Sequence, residues 1–241
     1  CAGQVRAASA DGAAAWRRSL DGRWQFRLFD GPDDVPAAAV SKPADGARWT
    51  PVAVPGNWTL QGVGDLPQYT NVQMPFHGPP PRLPERNPTG VYRRTMQIPT
   101  RWLDRQVVLH VGGAESVHVL YVNGEFVGYG TDSRLASEYD ITSFVKAGAN
   151  DLAIVVMRWS AHSYVEDQDQ WWMAGLHRSV HIEARTPVHL ADVRCQAGLD
   201  LATGTGALTV ATEVNFTVAP TGKHQVRATL YGPTGRQVAR P

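Results

Sequence analysis

The chain has 241 residues, and its 23 Lys and Arg side chains nearly balance 22 Asp and Glu, giving a formal net charge of +1. It has no basic stripe and no apolar run near the roughly 20 residues that span a membrane, so neither nucleic acid nor a membrane is expected as a partner. Its 23 Gly and 17 Pro indicate many turns and short strands in a globular β-protein.

The chain begins with Cys1 in place of Met, and residues 1–18 are predicted to form an N-terminal extension. Residues 1–15 are rich in Ala and small polar side chains, so we expect them to be poorly ordered or to depend on a neighbour. The Cys1 start indicates a fragment or a processed chain, and a lipid-anchored form stays open. Cys1 and Cys195 do not make a disulfide framework, and their pairing cannot be read from the sequence.

Alternation of apolar and polar residues predicts the first strand at Trp24–Phe29, which Asp30-Gly31-Pro32 ends. A loop at 31–47 follows. Trp49–Pro55 is predicted to be a short extended segment at a sheet edge, because prolines interrupt it. The segment 56–88 is rich in proline and has little periodicity, so we expect it to be functional or docked on another part of the protein.

Strand signals follow closely from Gly90 to Ala184. Asn123-Gly124 is the strongest, because a type I′ hairpin turn needs positive φ at both central positions. The run Asp151–Trp159 is apolar almost throughout, which predicts a strand buried on both faces. Further strands are predicted at Val91–Ile98, Val107–Val111, Ser116–Val122, Phe126–Tyr129 and Ser179–Ala184.

Short strands at this spacing, without a long helical pattern, predict an all-β protein whose first domain, 19–185, is a jelly-roll β-sandwich. A boundary is predicted at Thr186-Pro187. Beyond it, strands of a second domain are predicted at Val188–Val193, Leu208–Phe216 and Gln225–Leu230. An immunoglobulin-like sandwich needs about 100 residues, so we interpret 186–241 as part of such a domain.

The stretch Arg158–Arg178 concentrates acidic and aromatic side chains. In chain order these are Trp159, Glu166, Asp167, Asp169, Trp171 and Trp172. Carboxylates accept hydrogen bonds from sugar hydroxyls, and flat indole rings pack against the C–H faces of a sugar. A sugar-binding loop is one interpretation, and a solvated acidic turn followed by two core tryptophans is the other.

Other chemistries find little support in the sequence. The GxSxG, Walker, GxGxxG and HExxH motifs are absent, and the eight histidines lack the ligand spacing of a zinc site. Asp167-Gln168-Asp169 resembles the start of a calcium loop but lacks its later Gly and Glu. Glu166 and Asp169 lie on one loop and would approach a sugar from the same side, so a self-contained glycosidase pair is not expected.

Several short motifs follow one another in a fixed order. They are Pro67-Gln68-Tyr69-Thr70-Asn71-Val72, Asn87-Pro88-Thr89-Gly90-Val91-Tyr92-Arg93, Val122-Asn123-Gly124, Val127-Gly128-Tyr129-Gly130, Asp132-Ser133-Arg134-Leu135, Arg158-Trp159-Ser160 and Glu166-Asp167-Gln168-Asp169-Gln170-Trp171. Together they closely resemble the N-terminal sugar-binding domain of the bacterial LacZ-type β-galactosidases of glycoside hydrolase family 2. The Tyr-Thr-Asn and Glu-Asp-Gln-Asp elements favour β-galactosidases over β-glucuronidases and β-mannosidases.

The resemblance implies a galactose-binding-domain-like jelly roll whose loops reach the active-site mouth of a barrel further along the polypeptide. It implies that Asn71 contacts galactose hydroxyls, that Val72 lines the pocket, and that Asp169 binds a galactosyl hydroxyl and a sodium ion. Asn71 as a turn residue and Asp169 as a loop-stabilising acceptor stay open as alternatives. Trp171 and Trp172 are expected in interface or core packing.

One departure from the family concerns magnesium. Ala161 stands where the family usually has Asp, which removes an oxygen ligand from a structural magnesium site of some relatives. The catalytic glutamates and the catalytic magnesium ligands of the family lie in the barrel, which needs about 250 residues and is not in this chain.

The resemblance therefore predicts the N-terminal part of a retaining β-galactosidase, supplying galactose- and sodium-contacting loops but no catalytic residue. The implied partners are β-galactosides such as lactose, the barrel of the same polypeptide, and further copies in a homo-oligomer; the implied location is the cytoplasm. A free-standing carbohydrate-binding module and a non-catalytic scaffold domain are the alternatives. The chain alone is predicted to be inactive.

Overall fold

The computed structural model describes residues 15–42 and 48–239. Contacts divide the described residues into two compact units, one within Trp16–Ala184 and one that includes residues 185–239. The expectations for residues 1–14, including Cys1, and for the part of the predicted loop at 43–47 lie outside the described residues. Within the described ranges, no helix is long and apolar enough to cross a membrane.

The larger unit is built mainly from antiparallel strands, as predicted, with one short α-helix that was not predicted. Its strands are β1 (Arg17–Ser19), β2 (Gly22–Phe29), β3 (Thr50–Val54), β4 (Gly56–Asn57), β5 (Gln68–Thr70), β6 (Thr89–Ile98), β7 (Gln106–Val111), β8 (Val117–Val122), β9 (Glu125–Gly130), β10 (Ser137–Asp140), β11 (Gly148–Met157), β12 (Gln170–Trp172), β13 (Gly175–Leu176) and β14 (Val180–Arg185). The helix, α1 (Ala37–Ser41), lies in the segment predicted as a loop. It was missed because five residues without a side-chain cap give no helical signal in the sequence.

Two sheets enclose the core of this unit. One has four strands in the order β1-β14-β7-β10, and the other has six in the order β3-β2-β6-β11-β8-β9. Buried side chains from both sheets form one hydrophobic cluster, with Leu109 and Ile182 from the first and Tyr92 and Leu120 from the second. β3 is an edge strand, as its prolines predicted.

The strand predicted to be buried on both faces is β11, in the middle of the six-stranded sheet. Leu152, Ile154 and Val156 point into the core between the sheets. Val155 points the other way and joins a second cluster that includes Ala39 of α1. The helix therefore covers the outer face of the sheet, and this explains why the apolar run of β11 is continuous rather than alternating.

The predicted hairpin at Asn123-Gly124 joins β8 to β9. Asn123 has φ 52° and Gly124 has φ 84°, the positive values that a type I′ turn requires. Asn123 also donates through Nδ2 to the Phe144 carbonyl at 2.8 Å and accepts from the Asp151 N–H at 2.9 Å. The turn residues thus fix both the register of the hairpin and its position beside β11.

The smaller unit consists mainly of a long hairpin. Its strands are β15 (Val188–Leu199), β16 (Gly206–Phe216), β17 (Leu230–Tyr231) and β18 (Gln237–Ala239). The first two pair antiparallel, with a register shift between Leu190 and Asp192. The strand predicted at Gln225–Leu230 is wrong except for its last residue, because the alternating segment has no paired partner among the described residues.

Candidate functional site

Two loops identified in the sequence meet in a two-stranded antiparallel ladder. β5, from the proline-rich segment, pairs with β12, which follows the loop of residues 159–169, called the acidic loop below, so that Thr70 lies opposite Gln170. Asn71 directly follows β5, and Asp169 directly precedes β12. The register therefore brings Asn71 and Asp169 to the same end of the ladder, although they lie far apart in the sequence.

The two faces of the ladder differ, because successive side chains of a strand point in opposite directions, and one face carries the buried Trp172. Trp172 is 2% exposed, and its Nε1 donates to the Thr70 hydroxyl at 2.6 Å. Tyr69 and Trp171 lie opposite each other, 52% and 55% exposed, with ring centroids 5.5 Å apart. Trp172 is thus a packing residue, as expected, whereas Trp171 is not part of the core.

A phenol contacts the Asp169 carboxylate. The Tyr69 hydroxyl donates to Oδ1 of Asp169 at 2.6 Å, and this hydrogen bond to a carboxylate raises the pKa of Tyr69. Asp169, Asn71 and Val72 are all exposed, Val72 by 90%. The three predicted site residues are therefore accessible at one end of the ladder.

A buried ion pair anchors the base of the ladder. Nη1 of Arg158 donates to Oδ1 of Asp65 at 2.6 Å, and the two side chains are 3% and 6% exposed. Arg158 also donates to the Leu66 carbonyl at 3.0 Å and to the Trp172 carbonyl at 3.2 Å. Burial lowers the pKa of Arg158, and the charge of Asp65 opposes that shift. One guanidinium thus joins the chain before β5 to the end of β12.

The proline-rich segment is also docked on the acidic loop. The Asn87 amide donates to the Trp159 carbonyl and accepts from the Trp159 N–H, each at 2.9 Å. The Phe76 ring packs against Trp159 and Tyr164, with centroid distances of 5.1 and 5.5 Å. These contacts account for a long segment without periodicity that the sequence predicted to be functional or docked.

Glu166 holds the acidic loop to a neighbouring turn. It accepts from the Ser133 N–H at 2.8 Å through Oε1 and from the Ser133 hydroxyl through Oε2. Both of its oxygens are thus engaged in fixing the loop.

Three charged residues help to position these loops, although the sequence analysis assigned no role to them: Asp65, Glu115 and Arg134, of which only Arg134 lies in a motif named there. Arg134 donates to buried Glu115 at 2.9 Å and to the side chain of Gln170, at the start of β12, at 3.0 Å. Burial raises the pKa of Glu115, and Arg134 opposes the shift. The available signal was the position of Asp65 and Glu115 among small or apolar neighbours in the sequence. Such a position indicates a carboxylate that is buried with a charged partner, since buried charges are usually paired.

The metal-ligand chemistry of this region is sparse. No group of three or more His, Cys, Asp or Glu side chains that could hold a metal ion occurs in the part of the chain that the structure describes. Asp169 offers a carboxylate oxygen, the donor type suited to a hard cation, but such cations take about six oxygen ligands. Ala161 begins the 3₁₀ turn Ala161–Tyr164, and its methyl group offers no ligand for a metal ion.

Comparison with protein families matches residues 17–187 to "Glycosyl hydrolases family 2, sugar binding domain". The chain belongs to this family. The β5–β12 ladder, the acidic loop and the turn at Ser133 all lie within the matched sugar-binding domain.

Curated relatives agree with this family 2 assignment. A β-galactosidase of Psychromonas ingrahamii is 39% identical over 203 residues, which cover 84% of this chain and 20% of the relative. A β-galactosidase of Vibrio vulnificus is 39% identical over 236 residues, which cover 96% of this chain and 22% of the relative. The chain therefore spans about a fifth of the length of these relatives.

Two solved β-glucuronidase structures share the fold of this chain. A Bifidobacterium dentium β-glucuronidase complexed with coumarin-3-O-glucuronide superposes with a TM-score of 0.70 at 21% identity, covering 100% of this chain and 41% of that chain. A β-glucuronidase from an uncultured Clostridium gives a TM-score of 0.69 at 16% identity, covering 100% and 40%. At such identities the likeness shows the fold alone.

Proposed function

We propose that this chain is the N-terminal sugar-binding region of an enzyme that hydrolyses terminal β-D-galactosides with retention of configuration. The observation that carries the proposal is the ladder register, which brings Asn71 and Asp169 together at an exposed end. In this proposal the larger unit is the jelly roll, and the smaller unit is part of an immunoglobulin-like domain. The catalytic carboxylates belong to a barrel outside this chain.

The chemistry of the two polar side chains suits a sugar. The Asn71 amide can donate and accept, so it can bind hydroxyl groups in either orientation. The Asp169 carboxylate accepts only, and hydroxyl donors fit it well. Val72 supplies an apolar wall beside them. Together the three residues would hold a galactosyl unit without taking part in bond cleavage.

Sodium is the proposed cation of this site. Asp169 would contribute one oxygen ligand, and the remaining protein ligands would come from the barrel. Bound sodium would add positive charge beside the sugar hydroxyls, and Asp169 would contact both the ion and a hydroxyl. Magnesium in the complete enzyme would be held by barrel residues. Ala161 offers no oxygen ligand, so a separate structural magnesium site in this domain is not part of the proposal.

Exposed apolar side chains around the ladder support a partner surface there. Leu66, Val72, Val165 and Trp171 are 72%, 90%, 83% and 55% exposed. Exposed apolar patches mark surfaces that another part of a protein covers. We assign this cover to the barrel of the same polypeptide, with lactose or a related β-galactoside bound between the two. A homo-oligomer of the complete enzyme is part of the same proposal.

Replacement of Asp169 tests the proposal. In the full-length polypeptide, Asp169→Asn should lower kcat/KM for nitrophenyl β-galactoside by about a hundredfold, since hydrogen bonds to charged groups contribute about 1.5–3 kcal/mol and a cation ligand is lost as well. Activation by sodium should also weaken. The neighbouring exposed carboxylate gives a matched control, and Asp167→Asn should stay within about twofold, well below the tenfold that 1.4 kcal/mol represents. Equal effects of the two replacements would contradict the assignment.

The same substrate separates the alternatives. This chain alone should not turn over nitrophenyl β-galactoside, and turnover would show that catalysis does not lie elsewhere. Micromolar galactose binding by the chain alone would favour a free-standing carbohydrate-binding module. A scaffold domain would be favoured if replacement of Asn71 and Asp169 left the turnover of the full-length polypeptide unchanged.

A further inference from the structure

We propose that Tyr69 is the positioning residue of this site: its hydroxyl orients the Asp169 carboxylate and does not itself touch the sugar. This inference rests on the proposed function of Asp169. Tyr69 and Asp169 lie 100 positions apart in the sequence and are joined by a hydrogen bond of 2.6 Å. A hydroxyl that donates to a carboxylate at this distance makes a charge-assisted bond, which is stronger than one between neutral groups.

Asp169 needs an external partner to hold its orientation. It is exposed, and it lies just outside the paired residues of β12, so the ladder fixes its backbone on one side only. An unrestrained side chain at such a position loses rotamer freedom when it binds a ligand, and that loss weakens binding. The phenol removes part of this cost, because it selects one carboxylate orientation before the ligand arrives.

Tyr69 is itself held in place. Its backbone pairs with Trp171 in the ladder, and its ring lies against the Trp171 ring. The preceding residue, Gln68, accepts from Nη2 of the buried Arg158 at 3.3 Å. The Tyr69 hydroxyl therefore has a defined position, set by the ladder and by the ion pair below it.

The hydrogen bond from Tyr69 also gives the two carboxylate oxygens of Asp169 different roles. Tyr69 donates to Oδ1, so Oδ2 can serve the sugar hydroxyl and the sodium ion. A phenol suits this task, because it can donate one hydrogen bond from a ring that Trp171 already holds. Phenylalanine at position 69 would keep the ring contact and lose only the donor.

The variant Tyr69→Phe tests the positioning role. In the full-length polypeptide we expect KM for nitrophenyl β-galactoside to rise about tenfold, the change expected when one hydrogen bond to a charged group is lost. The sodium concentration for half-maximal activity should rise with it. Tyr129→Phe is the matched control, because Tyr129 is 65% exposed in β9, a strand outside the ladder; it should change neither quantity.

A double-mutant cycle separates positioning from direct contact. If Tyr69 acts only through Asp169, Tyr69→Phe should change kcat/KM by less than about twofold in an Asp169→Ala background, although the same change matters in the wild type. Equal factors in the two backgrounds would overturn the inference, since they indicate an independent role. An unchanged KM in the single variant would overturn it as well.

Failure of the inference differs from failure of the proposed function. A strong effect of Asp169→Ala with a silent Tyr69→Phe removes the positioning role alone. A silent Asp169→Ala removes the proposed function and the inference together. Thermal unfolding midpoints of the variants should match that of the wild type, because Tyr69, Asp169 and Tyr129 are all exposed. A large fall in the midpoint of Tyr69→Phe would show that Tyr69 supports the fold rather than the site.

Discussion

At the scale of single residues, the ladder combines exposed polar side chains with a buried, hydrogen-bonded tryptophan. Asp169 and Asn71 are exposed and lie next to residues paired in the ladder. Trp172, three residues after Asp169 and within β12, is buried and hydrogen-bonded. A rigid base with accessible polar side chains is the arrangement that a ligand site needs, because less conformational freedom is lost on binding.

His118 gives a residue-scale prediction about acid stability. It is 1% exposed in β8, shares a hydrogen bond of 2.7 Å with the Tyr139 hydroxyl, and burial lowers its pKa from 6.5 to about 4. The unfolded chain takes up a proton near pH 6.5 and the folded chain does not, so stability falls as the pH drops through this window. The loss approaches about 3 kcal/mol by pH 4.

The measurement is the free energy of unfolding in urea between pH 7 and pH 4, for the wild type and for His118→Gln. His181, whose pKa burial also lowers to about 4, is present in both proteins, so the difference isolates His118. The wild type should lose more stability than the variant across this range. Parallel curves would show that His118 is not buried in its neutral form.

At the scale of elements, the ladder depends on the buried pair of Arg158 and Asp65. Arg158→Met should lower the free energy of unfolding by about 3–5 kcal/mol, because the buried Asp65 carboxylate loses its cationic partner and keeps only the hydrogen bond from Trp58 Nε1 at 2.9 Å. Urea unfolding monitored by tryptophan fluorescence measures the change.

The matched control for Arg158→Met is an exposed ion pair in the same unit. Arg86 donates to Asp30 at 2.9 Å, with side chains 58% and 77% exposed. Arg86→Met should cost less than about 1 kcal/mol, since water screens such a pair. A similar cost for the two variants would contradict the view that burial makes Arg158 structurally important.

Some elements could be predicted from local pattern alone. The alternation of β2 and the Asn123-Gly124 turn carry their own signals, because each depends on neighbouring residues only. The continuous apolar run of β11 also reports its burial correctly. β10 and α1 escaped prediction because they are four and five residues long, too short for a period to emerge, and tertiary packing determines them.

The candidate site shows the same division between local and long-range information. The acidic loop is visible in the sequence as a cluster of carboxylates and indoles. Its pairing with β5 is not, because the register joins segments about a hundred residues apart and no local pattern encodes it. The family resemblance brought Asn71 and Asp169 together as a hypothesis, and their roles remain predictions. Tyr69 emerged only from the three-dimensional arrangement.

At the scale of the whole molecule, fold and activity are carried by different features. Superposition on β-glucuronidases at 16–21% identity shows that this chain shares their fold. The curated relatives at 39% identity are β-galactosidases. Function on a shared fold depends on the residues of the site, so the galactoside preference belongs to the proposal built on Asn71, Val72 and Asp169.

A crystal structure of the full-length polypeptide with bound galactose, grown in sodium chloride, tests the central claim most directly. The account predicts that Asp169 and Asn71 lie within hydrogen-bonding distance of galactose hydroxyls, about 3 Å. It also predicts that Asp169 contributes an oxygen to a sodium ion beside the sugar. Galactose bound elsewhere, with both side chains beyond hydrogen-bonding distance, would contradict it.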